Sequence, residues 1–193
     1  MISRMRFVLA AALALHPLLT GASLANAAQW KVIPQTSVIR FSGTQMGQPM
    51  TGQFERFSGR IDFEPGAMPK GDVYIDVDIT SIKTGAGDRD ATALGDDWFL
   101  AKRMPKAIFA AQVFKQISPD DYEAAGQLTI KGVTTPVILP FTLHVDSVGQ
   151  AEMKGQLLLD RLKFGLGIGQ FIDPAVVGQN IEVEVLVHAT RVP

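Results

Sequence analysis

The residues able to perform metal or thiol chemistry are few and widely spaced in this sequence. There is no cysteine, which excludes thiol nucleophiles, iron–sulfur clusters and cysteine zinc sites. His16 lies in the apolar N-terminal stretch, while His144 and His188 lie on the polar faces of strand-like segments. A zinc site needs three or four ligands, and neither of these two histidines belongs to an H-x-H or H-E-x-x-H motif. We therefore expect structural or solvated histidines and no metal site.

One glycine-rich segment resembles a phosphate-binding loop. Glycine stands at positions 165, 167 and 169, but position 170 is Gln170, so the G-x-G-x-x-G spacing fails. No P-loop lysine follows. The glycines are therefore expected to permit a sharp bend or a close approach of the backbone where a strand ends. The sequence also contains no G-x-S-x-G motif, which disfavours hydrolase chemistry.

Two groups of charged residues have both a functional and a structural interpretation. Arg89 stands between two aspartates, where it either pairs with an anionic group or bridges to a neighbouring carboxylate. Asp72, Asp76 and Asp78 alternate with apolar residues along one strand-like segment. Because a calcium site usually draws its ligands from a turning loop, these three carboxylates indicate a solvated strand face.

The first 27 residues have the organisation of a secretory signal peptide. Arg4 and Arg6 form a short positive region, an apolar run follows over residues 7–15, and Ala25-Asn26-Ala27 is a small-x-small cleavage site. We expect cleavage near Ala27, a periplasmic location and a mature domain over residues 28–193. Without the two arginines, 16 Lys and Arg face 19 Asp and Glu, a net charge of −3, so nucleic acid is not an expected partner.

The segments that position these residues alternate polar and apolar side chains with a period of two. Between Asp72 and Ile79 only Tyr74 interrupts the alternation, which is typical of a strand with one buried and one wet face. Turn-forming sequences such as Lys131-Gly132 separate the segments and suit antiparallel neighbours. Strands are predicted at residues 37–44, 50–63, 72–79, 108–117, 122–131, 137–145, 151–164 and 181–187.

One segment departs from this alternation. Residues 88–104 combine aspartates with apolar residues, Trp98 and Phe99 among them, and indicate one or two short helical turns that end before Pro105. We expect this insertion to cover an opening or to lie along the wall of the sheet. The predicted fold class is therefore all-β, in a single domain with one short helical insertion.

The number of predicted strands favours a closed barrel. Eight alternating strands must bury one face and protect two edges, and only closure removes the edges. An eight-stranded barrel either fills its interior with side chains or holds one small ligand, and the inward residues are compatible with both. These residues are Ile39, Phe41, Phe54, Phe57, Ile61, Phe63, Val73, Ile75, Val77, Phe109, Leu128, Ile130 and Phe141.

Several short segments, taken in register, resemble the YceI-like family over residues 30–187, nearly the whole mature chain. The most specific is Gly126-Gln127-Leu128-Thr129-Ile130-Lys131-Gly132-Val133-Thr134-Thr135-Pro136-Val137. The others lie at residues 30–34, 37–41, 52–63, 81–85, 89–90, 98–99, 105–109 and 161–165.

This resemblance implies an eight-stranded antiparallel up-and-down barrel of lipocalin-like shape. It also implies an apolar tunnel that takes a polyisoprenoid chain, such as a polyprenyl phosphate or the tail of a quinone. The inward residues named above would line that tunnel together with Trp98 and Phe99, and neither a catalytic residue nor a cofactor is expected.

Three functions remain open for this sequence. The favoured one is the non-enzymatic binding and carriage of a polyisoprenoid lipid in the periplasm. The second is an accessory role beside a membrane cytochrome b561-type protein, because Trp98-Phe99, in place of paired phenylalanines, resembles the branch associated with such proteins. An enzyme of unrecognised chemistry is a distant third. The expected partners are the isoprenoid lipid, the cytochrome and, as a homodimer, a second copy of the chain.

Overall fold

The computed structural model describes residues 28–67 and 70–192. The predicted signal peptide lies outside these residues, so its cleavage near Ala27 stays a prediction. No helix in the described part of the chain is both long enough and apolar enough to cross a bilayer.

Strands account for most of the described residues, because the alternation of apolar and polar side chains continues along almost every segment. The strands are β1 (Gln29–Val32), β2 (Val38–Gln45), β3 (Gln48–Phe54), β4 (Phe57–Phe63), β5 (Lys70–Asp78), β6 (Ile82–Lys83), β7 (Lys106–Gln116), β8 (Asp121–Ile130), β9 (Val133–Val145), β10 (Gln150–Asp160) and β11 (Asn180–Arg191). The helix α1 (Gly87–Leu94) and the 3-10 helices Pro65–Ala67, Ile79–Ser81, Arg161–Phe164 and Gly169–Phe171 connect them.

Eight of these strands form a closed antiparallel barrel. β1, β4, β5, β7, β8, β9, β10 and β11 pair in that order, and β1 also pairs with β11, which closes the ring. This confirms the predicted eight-stranded barrel with a short helical insertion.

Three positions in the barrel wall are built from two strands placed end to end. The first position consists of β1 and β2, which both pair with β11. β1 pairs with the C-terminal end of β11, and β2 pairs with Glu182–Leu186. The next position around the wall consists of β4, paired with β1, and β3, paired with β2. The third consists of β5, paired with β4, and β6, paired with β3. The wall is therefore longer here than any one of these strands.

The prediction of one continuous strand over residues 50–63 is wrong. β3 ends at Phe54 and β4 begins at Phe57, because the two residues between them bond to a 3-10 helix. The N–H of Glu55 donates to the Ser81 carbonyl at 3.3 Å, and the N–H of Arg56 donates to the Ser81 hydroxyl at 3.0 Å. These two bonds replace the ladder bonds that a continuous strand would make.

The predicted strand over residues 151–164 is also wrong in its last residues. β10 ends at Asp160, whose carboxylate accepts the N–H of Leu162 at 3.0 Å and so caps the 3-10 helix Arg161–Phe164. Gly165, Gly167 and Gly169 follow with φ of 65°, 67° and 63°, a region that favours glycine. The sharp bend predicted for these glycines is thus confirmed.

β9 and β10 pair along only part of their length. Their ladder covers Phe141–Val145 and Ala151–Gly155. The first half of β9, which contains Pro136 and Pro140, pairs with β8 alone. The 3-10 helix Arg161–Phe164 lies against β9, so a helical turn completes this part of the wall.

Candidate ligand-binding site

The barrel encloses an apolar cavity of about 280 Å³. All fifteen residues predicted to line a tunnel lie on its wall, including Trp98 and Phe99 from the insertion. Their contact with a ligand stays a prediction. The alternation explains this placement, because in β5 the inward Val73, Ile75 and Val77 line the cavity while the intervening residues point outward.

The cavity lies mainly in the middle of the barrel. Ile61, Val73, Ile75, Val77 and Phe109 face inward, yet each is only partly buried. Side chains on the inner face of a closed barrel can keep accessible surface only if the interior is not filled. The middle of the barrel is therefore hollow, which decides between the two interpretations that the sequence leaves open.

Sequence reasoning missed the part of the wall contributed by the last three strands, except for Phe141 of β9. Leu143, Met153, Leu157, Val183 and Val185 all line the cavity. Their alternation was visible in the sequence, but the alternation does not show which strands lie opposite each other across the barrel. The pairing of β11 with β1 and β2 brings this arc to face β4, β5 and β7.

One end of the barrel is filled by aromatic side chains, and we call it the aromatic end. The ring of Phe63 lies 4.8 Å from that of Phe114 and 5.9 Å from that of Tyr122, which stacks on Phe141 at 5.4 Å. The indole N–H of Trp30 donates to the Phe63 carbonyl at 2.8 Å. All five residues are buried, so this end has the packed interior of an ordinary core.

The opposite end is closed by two segments, residues 95–104 and 161–178, which we call the cover. The N–H groups of Gly167 and Ile168 donate to the Asp97 carbonyl at 2.8 and 3.0 Å. The ammonium of Lys131 donates to the carbonyls of Asp96 and Gly165, one from each segment, at 2.8 and 2.9 Å. These hydrogen bonds join the two segments into one unit over the cavity.

Arg161 lies at the centre of the cover and is only 1% exposed. All five of its N–H groups are used, since the guanidinium makes five hydrogen bonds of 2.6–3.0 Å to backbone carbonyls. Burial lowers the pKa of Arg161 from its ordinary value, but an arginine stays charged. The acceptors are the carbonyls of Gly178, Leu166, Gly167, Phe171 and Val177.

Gly167 permits this arrangement because no side chain fits at its position. A Cβ atom there would lie 2.6 Å from Nη1 of Arg161 and 2.8 Å from the ring of Trp98. The close backbone approach expected for the glycine segment is therefore observed, and the group that approaches is Arg161 rather than a phosphate.

Trp98 and Phe99 bring the first segment of the cover to the cavity wall. The ring of Phe99 packs edge-on against Phe54 at 5.9 Å, and the ring of Trp98 lies 5.6 Å from that of Phe171. The Trp98 ring is also 5.5 Å from the Arg161 guanidinium. Its indole N–H is buried and has no hydrogen-bond partner.

The outer wall has the polar face that the sequence predicted. Asp72, Asp76 and Asp78 point outward, where they pair with Arg60, Lys106 and Arg56. Hydrogen bonds from Thr80, and then from Arg56, hold the pKa of Asp78 below its ordinary value. These carboxylates are therefore committed to ion pairs on the outer wall.

The remaining candidates for chemistry have structural partners. His188 bonds the Thr36 carbonyl at 2.8 Å and the Glu152 carboxylate at 3.0 Å, and His144 is solvated. Arg89, in α1, donates to the carbonyl of Thr84, just before that helix, at 3.3 Å. Over residues 28–67 and 70–192, no group of three His, Asp or Glu side chains is arranged to hold a metal ion.

The fold and its interior define a class of protein: a closed antiparallel barrel with an apolar cavity, the architecture of lipocalin-like binding proteins. Residues 30–189 match the YceI-like domain, and the chain belongs to this family.

Relatives of this chain cover most of the barrel. A UPF0312 protein of Photorhabdus laumondii is 34% identical over 125 residues, which are 63% of this chain and 65% of the relative, so less than two thirds of its length is matched. The crystal structure of BcnA from Burkholderia cenocepacia has a TM-score of 0.79 at 28% identity and covers 83% of this chain and 100% of that one.

A more distant structure has the same fold. It is a polyisoprenoid binding domain from Saccharophagus degradans implicated in plant cell wall breakdown, with a TM-score of 0.68 at 14% identity, covering 86% of this chain and 99% of that one. At this identity the similarity concerns the fold alone.

Proposed function

We propose that the protein binds a long-chain polyisoprenoid lipid in the barrel interior and carries it without catalysing a reaction on it. The observation that supports this most directly is the hollow middle of the barrel, where inward apolar side chains keep accessible surface. Such a surface binds an apolar chain by burial alone and needs no hydrogen-bonding group along that chain.

The expected affinity is sufficient for a carrier. A tail of ~40 carbons at about 0.3 kcal/mol per heavy atom would reach on the order of −12 kcal/mol, which corresponds to nanomolar affinity. The cavity of about 280 Å³ lies slightly below the range of ordinary ligand pockets, which starts at ~300 Å³. A full-length tail therefore requires the flexible Met50 and Met153, which lie on the wall, to rearrange around it.

The name of the Saccharophagus degradans domain, which has the same fold, supports the choice of a polyisoprenoid. The N-terminal sequence supports export, so we place the carrier in the periplasm. A second candidate is an accessory role beside a membrane cytochrome b561-type protein, with a quinone as the bound lipid. The pair Trp98-Phe99 favours this candidate. It resembles the branch associated with cytochrome b561-type proteins, and both residues lie on the cavity wall.

Lipid uptake by purified protein tests the proposal. We expect delipidated wild-type protein, refolded with polyprenyl lipids, to retain one lipid by native mass spectrometry. Phe109→Asp places a carboxylate in the cavity wall and should abolish uptake, since a buried unpaired charge is unfavourable beside an apolar chain. Val113→Asp is the matched control, because Val113 lies on the same strand and is 57% exposed.

The two variants must be compared at equal amounts of folded protein. Wild-type protein that takes up no polyprenyl lipid would overturn the carrier function. Equal uptake by Phe109→Asp and wild type would show that the lipid lies outside the barrel.

A further inference from the structure

Two cations that bond the cover, Arg161 within it and Lys131 in the turn between β8 and β9, have only uncharged hydrogen-bond partners. Arg161 donates only to backbone carbonyls, and Lys131 donates to two more. Among the described residues no carboxylate lies within salt-bridge distance of either. The cations of the outer wall differ, because Arg56, Arg60 and Lys106 each pair with an aspartate.

Carbonyl groups solvate a buried cation but do not cancel its charge. The field of Arg161 therefore reaches into the cavity, whose wall it helps to form and where few dipoles weaken it. Asp160 acts on Arg161 electrostatically. Its oxygens, however, are occupied by the N–H of Leu162 and the amide of Gln179. Asp160 therefore offsets part of the charge of Arg161, but no carboxylate among the described residues lies within salt-bridge distance of the guanidinium.

The two tryptophans on the cavity wall differ in their indole N–H groups. That of Trp30, at the aromatic end, donates to the Phe63 carbonyl at 2.8 Å. That of Trp98, beside Arg161, is buried without an acceptor. A buried donor without a partner is destabilising and uncommon, so it marks a place where a bound acceptor would be stabilised.

We infer that the head group of the bound lipid lies at the covered end, beside Trp98 and Arg161, and that it is an anionic phosphate ester rather than a neutral quinone or alcohol. The tail then runs towards the aromatic end, where the indole N–H of Trp30 already has an acceptor. A phosphate oxygen accepts the Trp98 N–H after a small adjustment of the indole. Arg161, whose N–H groups are all used, and Lys131, which does not line the cavity, stabilise the phosphate charge through space rather than by hydrogen bonds. This inference rests on the proposed function.

Two ligands with the same tail isolate the contribution of the head group. The delipidated protein is titrated with a C40 polyprenyl monophosphate and with the C40 polyprenol, and we expect the phosphate to bind at least about tenfold more tightly. Inorganic phosphate at about 10 mM, added as a competitor, should not displace the polyprenyl phosphate, because a free ion lacks the tail that supplies the affinity.

Three variants test which residues cause the preference for the polyprenyl phosphate over the polyprenol. Trp98→Phe keeps an aromatic ring and removes the donor, so the ratio of the affinity for the polyprenyl phosphate to that for the polyprenol should fall severalfold. Lys131→Gln should also reduce the preference. Lys115→Gln removes a cation from the exposed surface near the aromatic end and should leave the preference unchanged. Arg161→Gln is avoided, because it would leave carbonyls of the cover without donors.

The outcomes separate this inference from the proposed function. Equal affinities for the phosphate and the alcohol would overturn the assignment of the head group while the carrier function stands. Displacement by inorganic phosphate would assign the site to a free anion and would also overturn it. A wild-type protein that binds neither lipid would overturn the proposed function itself.

Discussion

At one end of the barrel Phe63 packs against three other aromatic rings, while at the other end Arg161 and Lys131 hold two chain segments together through backbone carbonyls. The first closure depends on apolar burial, which no local movement can replace. The second combines hydrogen bonds, which water can replace when the segments separate, with the burial of Ala101, Phe164 and Leu166. We therefore expect the aromatic end to set the stability of the fold and the cover to control exchange of the proposed lipid.

The largest expected effect comes from breaking the aromatic end. Phe63→Ala should lower the free energy of unfolding by about 3–5 kcal/mol, because it leaves a cavity among buried rings. Phe171→Ala, at a half-buried position of the cover, should cost about 1 kcal/mol but accelerate transfer of bound lipid to vesicles. Urea unfolding and a vesicle-transfer assay measure the two effects. Similar losses of stability would contradict the division of roles between the ends.

The wall between the two ends allows a sharper comparison, because two adjacent residues of β5 face opposite sides of it. Ile75→Asp should cost several kcal/mol, since it places an unpaired carboxylate against the apolar cavity. Asp76→Ser removes an outward carboxylate that pairs with Lys106 at 3.2 Å and should cost less than about 1 kcal/mol. Thermal unfolding of both variants is the measurement, and equal shifts in Tm would refute the assignment of the inner and outer faces.

The smallest expected effect is a loss of stability at acid pH, and it concerns only the region of the cover. A hydrogen bond from Gln179, followed by that from the Leu162 N–H, holds the pKa of Asp160 below its ordinary value. Because the pKa is lower in the folded state, ionised Asp160 stabilises that state above about pH 4, near the pKa of the unfolded chain. This contribution is lost as the pH falls through the lower folded pKa.

Lipid release should therefore accelerate modestly as the pH falls below about 4. Asp160→Asn should weaken that acceleration, because the amide does not titrate. Release measured from pH 7 to pH 3 in both proteins provides the test. An identical acid response in the variant would assign the pH dependence to other groups.

The sequence predicted the lining of the cavity better than its closure. Alternation placed Val73, Ile75 and Val77 on the inner face, because a strand in a closed wall has only two directions for its side chains. It missed β1 and β6, which have four and two residues and are too short to show a period. The break between β3 and β4 was also invisible, since it depends on bonds to Ser81, 25 residues further along the chain.

Arg161 shows why the covered end could not be predicted. In the sequence it follows Asp160 at the end of an alternating segment, where an arginine usually points to solvent. Its burial depends on five carbonyls that converge only after the chain has turned through three glycines with positive φ. The glycine pattern indicated the bend, but no local pattern indicates which side chain the bend encloses.

The prolines of β9 have a consequence for contacts between separate molecules. The first half of β9 pairs in a ladder with β8 alone, and the 3-10 helix Arg161–Phe164 covers its other side. If that helix moved away, this side would become the edge of a sheet, where a strand from another chain could add and begin aggregation. Pro136 and Pro140 have no N–H to donate, so two positions of such an intermolecular ladder could never be completed. The incomplete ladder in the barrel wall therefore does not give a strand of another molecule a regular set of hydrogen-bonding groups to pair with.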